Sequence, residues 1–138
     1  MLTLTFPQVR VIYWETSRRT PDLIKIRLKF TKDAYYDFEV PVFKFPDHSI
    51  VELEELHMVI LLPLHALKLR KQIASARTPE RRRELFRKLP ALHAEIGDAI
   101  DWAQQAGDIM PGDAAEAGRL MDRLFTELYK RVTKNMRR

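Results

Sequence analysis

Two carboxylates in an extended stretch come closest to a catalytic pair. Asp37 and Glu39 stand two positions apart in "YYDFEVPVF", so both side chains lie on the same face of a strand. Carboxylates in such an arrangement are suited to general acid–base catalysis or to binding a divalent cation. The preceding run "IKIRLKF" carries Lys25, Arg27 and Lys29 on its own polar face. We therefore interpret the two acids as surface charges that pair across a hairpin and fix its register.

Other residue types that carry chemistry lack the required spacing. The chain has no cysteine, which excludes thiolate metal sites and a cysteine nucleophile. Ser49 and Ser75 have no G-x-S-x-G context, and the four glycines form no phosphate-binding loop. The histidines form neither an H-x₃-H nor an H-E-x-x-H pattern: His48, His57, His65 and His93. We predict no catalytic residue, no metal site and no cofactor for this chain.

A block of positive charge between residues 68 and 88 indicates a different kind of site. It holds nine basic and two acidic side chains, whereas residues 91–125 hold two basic and seven acidic ones. Basic side chains that replace phosphate counterions give sequence-independent affinity for nucleic acid. The candidate DNA contacts are Arg70, Lys71, Arg77, Arg81, Arg82, Arg83, Arg87 and Lys88. The alternative is one basic and one acidic helix face that pair with each other or with a second subunit.

The first 45 residues predict a sheet. "LTLTF" places Leu2, Leu4 and Phe6 on one face at period two, and "VRVIYW" is apolar enough for a strand buried on both faces. "IKIRLKF" and the alternating run after it are joined by the four residues "TKDA", which predicts an antiparallel hairpin. We expect about four strands in a mostly antiparallel sheet.

The rest of the chain predicts three to five α-helices. Ser49 and Glu52 form a capping box in front of an apolar run, and Pro63 is expected to kink or end that helix. Thr78 and Pro79 mark a second helix start. The expected division places the hairpins and first helices in residues 1–77 and a helical region in residues 78–138, within the same compact unit.

The C-terminal part of the pattern contains two further signals. Pro90 interrupts the second helix, and Asp113 with Glu116 predicts an aspartate cap for the last helix. That helix carries an apolar stripe at spacing four: Leu120, Leu124, Leu128 and Val132.

The general class follows from length and hydropathy. A chain of 138 residues with 46% hydrophobic and 31% charged side chains is typical of one soluble globular domain. The longest apolar run, "MVILLPL", is too short to cross a bilayer, and no secretory signal opens the chain. We therefore expect a cytoplasmic α+β protein without a membrane partner.

Four segments, taken in order, resemble one known family: "FPQVRVIYW", "RRTPDLIKIRLKF", "YDFEVPVFKF" and "ELEELHMVILLPLHALKLR". They are similar to the distal, C-terminal half of the recombination-promoting nuclease/transposase family, within the PD-(D/E)XK superfamily. The shared features are a "VIYL"-like strand, a "TPD" turn, a "VPV" segment, an acidic helix start and an "LLPL"-like run. They correspond here to Val11–Trp14, Thr20–Asp22, Val40–Val42, Glu52–Glu55 and Leu61–Leu64. The resemblance covers residues 4–73.

This resemblance implies a partial PD-(D/E)XK fold whose full form is a metal-dependent DNA nuclease. In the family an Asp and a Glu-x-Lys or Glu-x-Gln on adjacent strands bind Mg²⁺ and position the attacking water. Those strands precede the segment similar to Val11–Trp14, so we expect the catalytic half to be missing here. Pro21 and Asp22 spell the superfamily's "PD", but no lysine or glutamine has an acidic residue two positions before it. We interpret Asp22 as a turn residue and expect no nuclease activity from this chain alone.

Three functions agree with these residues. The first is a non-catalytic C-terminal portion of such a nuclease, which serves association and DNA contact and whose partner is an upstream nuclease half. The second is a homo-oligomeric interaction module, because an exposed sheet edge tends to be paired or covered. The third is a sequence-independent nucleic-acid binder that uses the block 68–88.

Overall fold

A short mixed sheet precedes a set of helices in the computed structural model, which describes residues 1–5 and 7–136. The strands are β1 (Val11–Tyr13), β2 (Leu23–Lys29) and β3 (Tyr35–Lys44). The helices are α1 (Ile50–Glu55), α2 (His65–Ser75), α3 (Pro79–Arg87), α4 (Leu89–Gln105) and α5 (Pro111–Met136). Two 3-10 segments occupy Phe45–Asp47 and Val59–Leu64. The predicted α+β class, with an N-terminal sheet followed by helices, is confirmed.

The chain divides into two compact units, Met1–His48 and Ser49–Arg138. The first contains the sheet and the second contains all five α-helices of the described residues. The boundary that the sequence predicts after residue 77 falls inside the second unit, between α2 and α3.

The charged hairpin forms as the alternation predicts. β2 runs antiparallel to β3 with Arg27 opposite Asp37 and Lys25 opposite Glu39. Arg27 donates from Nε and Nη2 to the two carboxylate oxygens of Asp37, at 2.7 and 2.8 Å. The hydrogen bonds from the guanidinium hold the pKa of Asp37 below its usual value. The predicted placement of opposite charges across this hairpin is confirmed, and one of the two facing pairs, Arg27 with Asp37, forms an ion pair.

The sheet is smaller and differently connected than the sequence predicts. Three strands lie in the order β1-β3-β2, and β1 is parallel to β3. Residues 1–5 form no strand, and Phe6 lies outside the described residues. The prediction that β1 is buried on both faces is wrong, since Ile12 is 42% exposed. The physical reason is that the face of β1 that carries Ile12 is incompletely covered by other side chains.

Local helix signals are largely confirmed. The Ser49 hydroxyl accepts a hydrogen bond from the Glu52 amide at 3.2 Å, and the Glu52 carboxylate accepts one from the Ser49 amide at 2.9 Å. Thr78 caps α3 by accepting from the Arg81 amide at 3.2 Å, with a proline at the first helical position. Pro63 lies in the 3-10 segment that precedes α2, so the α-helix does not continue through it.

Two details of the last helix correct the sequence prediction. The helix begins at Pro111, so Asp113 lies inside its first turn and does not cap it. Proline at the first helical position fixes a backbone φ angle that suits the start of a helix. An acidic side chain in the first turn then stabilises the helix through its interaction with the helix dipole. Leu120 is 39% exposed, whereas the buried stripe consists of Met121, Phe125, Leu128 and Val132. A constant spacing of four drifts around a helix of 3.6 residues per turn, so it leaves the buried face.

The 3-10 segment Val59–Leu64 is central to the helical unit. It contacts α1, α2, α4 and α5, and its Val59 and Leu62 are buried. α2 in turn contacts α3 and α5. The positively charged block is therefore attached to the hydrophobic core through α2.

Candidate nucleic-acid interface

The basic block occupies two neighbouring helices and their connection. Arg70 and Lys71 belong to α2, Arg77 lies in the connection, and α3 carries the arginines from 81 to 83 and Arg87. α2 and α3 contact each other, and buried apolar residues fix both of them: Leu69 and Ile73 on α2 and Leu85 on α3. The fold thus brings the predicted DNA contacts onto one helical pair.

The exposed cations of α3 are divided between two sides of the helix. Arg81 and Lys88 lie with Glu84 on one side, with an Arg81 Nη1 to Glu84 Oε2 distance of 2.7 Å and a Lys88 Nζ to Glu84 Oε1 distance of 3.9 Å. The hydrogen bond from Arg81 lowers the pKa of Glu84, so this carboxylate is ionised. One negative charge therefore offsets part of the positive charge on this side.

Arg83 and Arg87 lie one turn apart on another exposed side of α3. Within the described part of the chain, these two arginines and Arg77 form no ion pair. Guanidinium groups without a protein carboxylate are available for bidentate contact with phosphate. Arg77, Arg83 and Arg87 are the residues of the block best suited to contact a phosphate backbone, and we call them the arginine triad.

Arg82 and Arg70, like Lys68 at the start of the block, are half-buried. Arg82 donates from Nη2 to the carbonyl oxygen of Ala76 at 3.4 Å, which ties α3 to the end of α2. This contact gives Arg82 a structural role at the junction of the two helices.

The acidic residues that the sequence singled out do not converge. Asp22 accepts a hydrogen bond from Lys44 Nζ at 2.6 Å, while Asp37 is bound by Arg27. The contact with Lys44 lowers the pKa of Asp22. Among residues 1–5 and 7–136, no group of three His, Asp or Glu side chains could hold a metal ion.

A feature that sequence reasoning missed lies at two helix ends. α1 ends with His57 in the left-handed region at φ 55°, and α4 ends with Gly107 at φ 77°. In both cases the next residue donates its amide to a carbonyl in the last turn, at 2.8 Å for Met58 and 2.9 Å for Asp108. His57 Nδ1 then lies 3.2 Å from Asp108 Oδ2 and links the two ends. The glycine signals its own turn, but nothing local in the sequence predicts a histidine in that conformation.

Next to this link is an open cleft of about 430 Å³. Glu54, Asp108 and Trp102 contribute to its lining, and Trp102 is 72% exposed. Helical periodicity places Trp102 in α4 but does not show that its ring faces solvent. One of the acidic residues of the range 91–125, Asp108, therefore lies beside the exposed ring of Trp102.

Comparison with protein-family models, curated proteins and solved structures gives no match to the chain. The similarity to the nuclease family accordingly stays a prediction. Within the part of the chain that the structure describes, no helix combines the length and apolar composition that a membrane span requires.

Proposed function

We propose that this chain is a non-catalytic nucleic-acid-binding module that contacts the phosphate backbone through α2 and α3. The observation that carries the proposal is the arginine triad, three exposed guanidinium groups without protein carboxylates on one helical pair. Neutralising phosphates with such groups releases counterions and gives affinity that is independent of base sequence. In this proposal the module works in the cytoplasm as the C-terminal portion of a PD-(D/E)XK nuclease/transposase-like protein, beside an upstream nuclease half that binds Mg²⁺.

The proposal predicts salt-dependent DNA binding that the arginine triad controls. A fluorescein-labelled 20-base-pair duplex should bind the purified chain at 50 mM KCl and dissociate progressively toward 200 mM. Changing Arg77→Gln, Arg83→Gln and Arg87→Gln together should make the negative slope of log K against log salt less steep. The change should be about 0.9 for each phosphate that the variant no longer neutralises. Fluorescence anisotropy measures both the affinity and the slope.

The matched control removes the same charge from α5. A variant with Arg119→Gln, Arg123→Gln and Arg131→Gln has the same net charge as the triad variant and should keep the wild-type slope. Supercoiled plasmid incubated with Mg²⁺ or Mn²⁺ should stay uncut. Absence of duplex binding at 50 mM KCl, or an equal effect of the two triple variants, would contradict the proposed interface. Cutting that EDTA abolishes would contradict the non-catalytic assignment.

A second candidate function is homo-oligomerisation through the helical unit. The observation in its favour is a set of large exposed apolar side chains in that unit: Val51, Leu56, Ile60, Trp102 and Met110. Clustered exposed apolar surface marks interaction sites more often than isolated side chains do.

This second function predicts a mass that increases with protein concentration. Sedimentation equilibrium should show a monomer–dimer equilibrium at protein concentrations between roughly 5 and 200 µM. Weak protein–protein interfaces form at concentrations on this order. Trp102→Glu should shift this equilibrium toward monomer because a charge replaces an exposed aromatic ring that lines the cleft. Glu95→Gln, an exposed change on the same helix, is the control. A constant monomer mass at all concentrations would remove this candidate.

A further inference from the structure

The outer edge of β2 is an open strand edge in the first unit. β3 pairs with β2 on one side, and no strand of the described residues pairs with the other side. An open edge presents backbone N–H and C=O groups that a further strand can use. Seven residues, Leu23–Lys29, are long enough to accept such a strand.

The ladder between β2 and β3 shows which groups point outward. Val42 donates its amide to the Asp22 carbonyl at 2.9 Å, and Phe30 donates to the Ala34 carbonyl at 2.9 Å. In an antiparallel pair, hydrogen-bonded and non-hydrogen-bonded positions alternate. The even-numbered residues of β2 therefore bond to β3, and the odd-numbered ones direct N–H and C=O outward. The same alternation explains why Pro41, opposite Leu23, is tolerated without an amide.

Four residues of β2 direct their backbone groups toward the open edge, and three of them have positively charged side chains. They are Lys25, Arg27 and Lys29, and all three side chains are exposed on one face of the sheet. The guanidinium of Arg27 is already occupied by Asp37 and lies 4.1 Å from the centre of the Tyr35 ring. Lys25 and Lys29 form no ion pair within the described residues. Two ammonium groups thus flank a neutralised arginine along the open edge.

This arrangement disfavours antiparallel pairing with a second copy of β2. In antiparallel pairing, outward-facing positions must lie opposite outward-facing positions. Any register with four or more residue pairs then places cations opposite cations, for example Lys25 opposite Arg27 when the two copies of Ile26 are paired. Like charges directly opposite each other destabilise a cross-strand pair.

We propose that the open edge of β2 binds an extended acidic segment of another polypeptide as an added strand. Its carboxylates lie opposite Lys25 and Lys29, and its backbone completes the ladder with the outward groups of β2. β3 shows this chemistry on the opposite edge at one position, where the Asp37 carboxylate binds Arg27, and its Glu39 lies opposite Lys25 in the register. The binding does not depend on the nucleic-acid function proposed for α2 and α3.

The first test uses a synthetic peptide with the full-length chain. The probe is a fluorescein-labelled nine-residue peptide in which glutamate alternates with valine and threonine. It should bind, and Lys25→Glu together with Lys29→Glu should weaken it by at least about tenfold, since two attractive pairs become repulsive. Arg18→Glu with Lys32→Glu makes the same charge change in the same unit away from the edge and should leave affinity unchanged.

Three controls separate strand addition from adsorption of charge. The same peptide with N-methyl groups on alternate residues keeps its carboxylates but cannot form the ladder, and it should not bind. A peptide with lysine in place of glutamate should also fail. Amide hydrogen exchange read by NMR should show new protection at Lys25, Arg27 and Lys29, and little change at the even-numbered residues.

The outcomes that overturn the proposal are equally specific. Undiminished binding of the N-methylated peptide, or binding without protection of the odd-numbered amides, would show electrostatic adsorption only. Equal losses in the two double variants would remove the role of the edge lysines. An oligo(dT) strand that displaces the acidic peptide without protecting those amides would identify the lysines as a nucleic-acid contact. No binding at millimolar peptide would end the proposal directly.

Discussion

Replacing Phe125 by alanine should lower the free energy of unfolding by about 3–5 kcal/mol, the loss typical of a large buried aromatic side chain. The ring is 1% exposed and lies in α5. It also stacks on the imidazole of His93, with ring centroids 4.5 Å apart. Truncation removes this contact and leaves a cavity that the surrounding helices fill only in part. Urea unfolding followed by circular dichroism at pH 7.5 measures the change.

An exposed leucine in the same helix is the control for this change. Leu120→Ala makes a similar truncation on a partly exposed side of α5 and should cost less than about 1.5 kcal/mol, because little buried volume is lost. Equal losses for the two variants would show that α5 does not pack through Phe125. Since α5 contacts α2, a large loss for Phe125→Ala would also weaken the support of the basic helical pair.

Signals that act within a few residues were the most predictable part of this fold. The capping box needs only Ser49 and Glu52, three residues apart, and the start of α3 needs only Thr78 and Pro79. Pro63 acts through its own ring and missing amide. Each of these contacts is decided by neighbours in the chain, so the sequence pattern contains all the participants.

Strand predictions failed where a partner was required. The N-terminal alternation of Leu2 and Leu4 is suited to a strand, but a strand forms only when another one offers its edge. β3 offers one side to β2 along most of its length and only three residues to β1. Several segments alternate, and long-range contacts decide which of them pairs with the edge of an existing strand. Sequence periodicity carries no information about those contacts.

The charge block shows a similar limit for the candidate site. Composition identifies an excess of cations between residues 68 and 88, but it does not distribute them around a helix. The phase of α3 places Glu84 between Arg81 and Lys88 and leaves Arg83 and Arg87 on another side. The contact of Arg82 with the Ala76 carbonyl depends on how α2 ends. The excess of positive charge in this block was predictable from composition, and the subset of its cations that form no ion pair within the described residues was not.

Positively charged side chains occur in both units, but the backbone around them suits different kinds of ligand. In the sheet, the residues of β2 that carry the cations also direct their backbone N–H and C=O groups outward. This combination favours binding of an extended peptide. On α2 and α3, the helical backbone groups are already bonded within the helix, so only side chains can contact a ligand there. A phosphate backbone suits such isolated guanidinium groups, since it needs charge and bidentate donors but no ladder.

Stability should fall as the pH falls below neutral, because of His65. This side chain is 8% exposed, and burial, with a smaller contribution from Lys68, lowers its pKa to about 4. In the unfolded chain the imidazole titrates near 6.5. Between these two values the unfolded state binds a proton that the folded state does not, so acid favours unfolding. The free energy of unfolding should be about 2 kcal/mol lower at pH 5.0 than at pH 7.5 from this group.

Urea unfolding at the two pH values tests this sign and size. His65→Gln removes the titrating group, so its stability should differ much less between pH 7.5 and 5.0, even if the substitution lowers stability at both. His57→Gln, whose wild-type ring is 70% exposed, should keep the wild-type difference. A His65→Gln variant with the full wild-type difference would show that other groups cause the acid sensitivity. Loss of the difference only in His65→Gln would show that His65 stays neutral in the folded chain at pH 5.0 and causes the acid sensitivity.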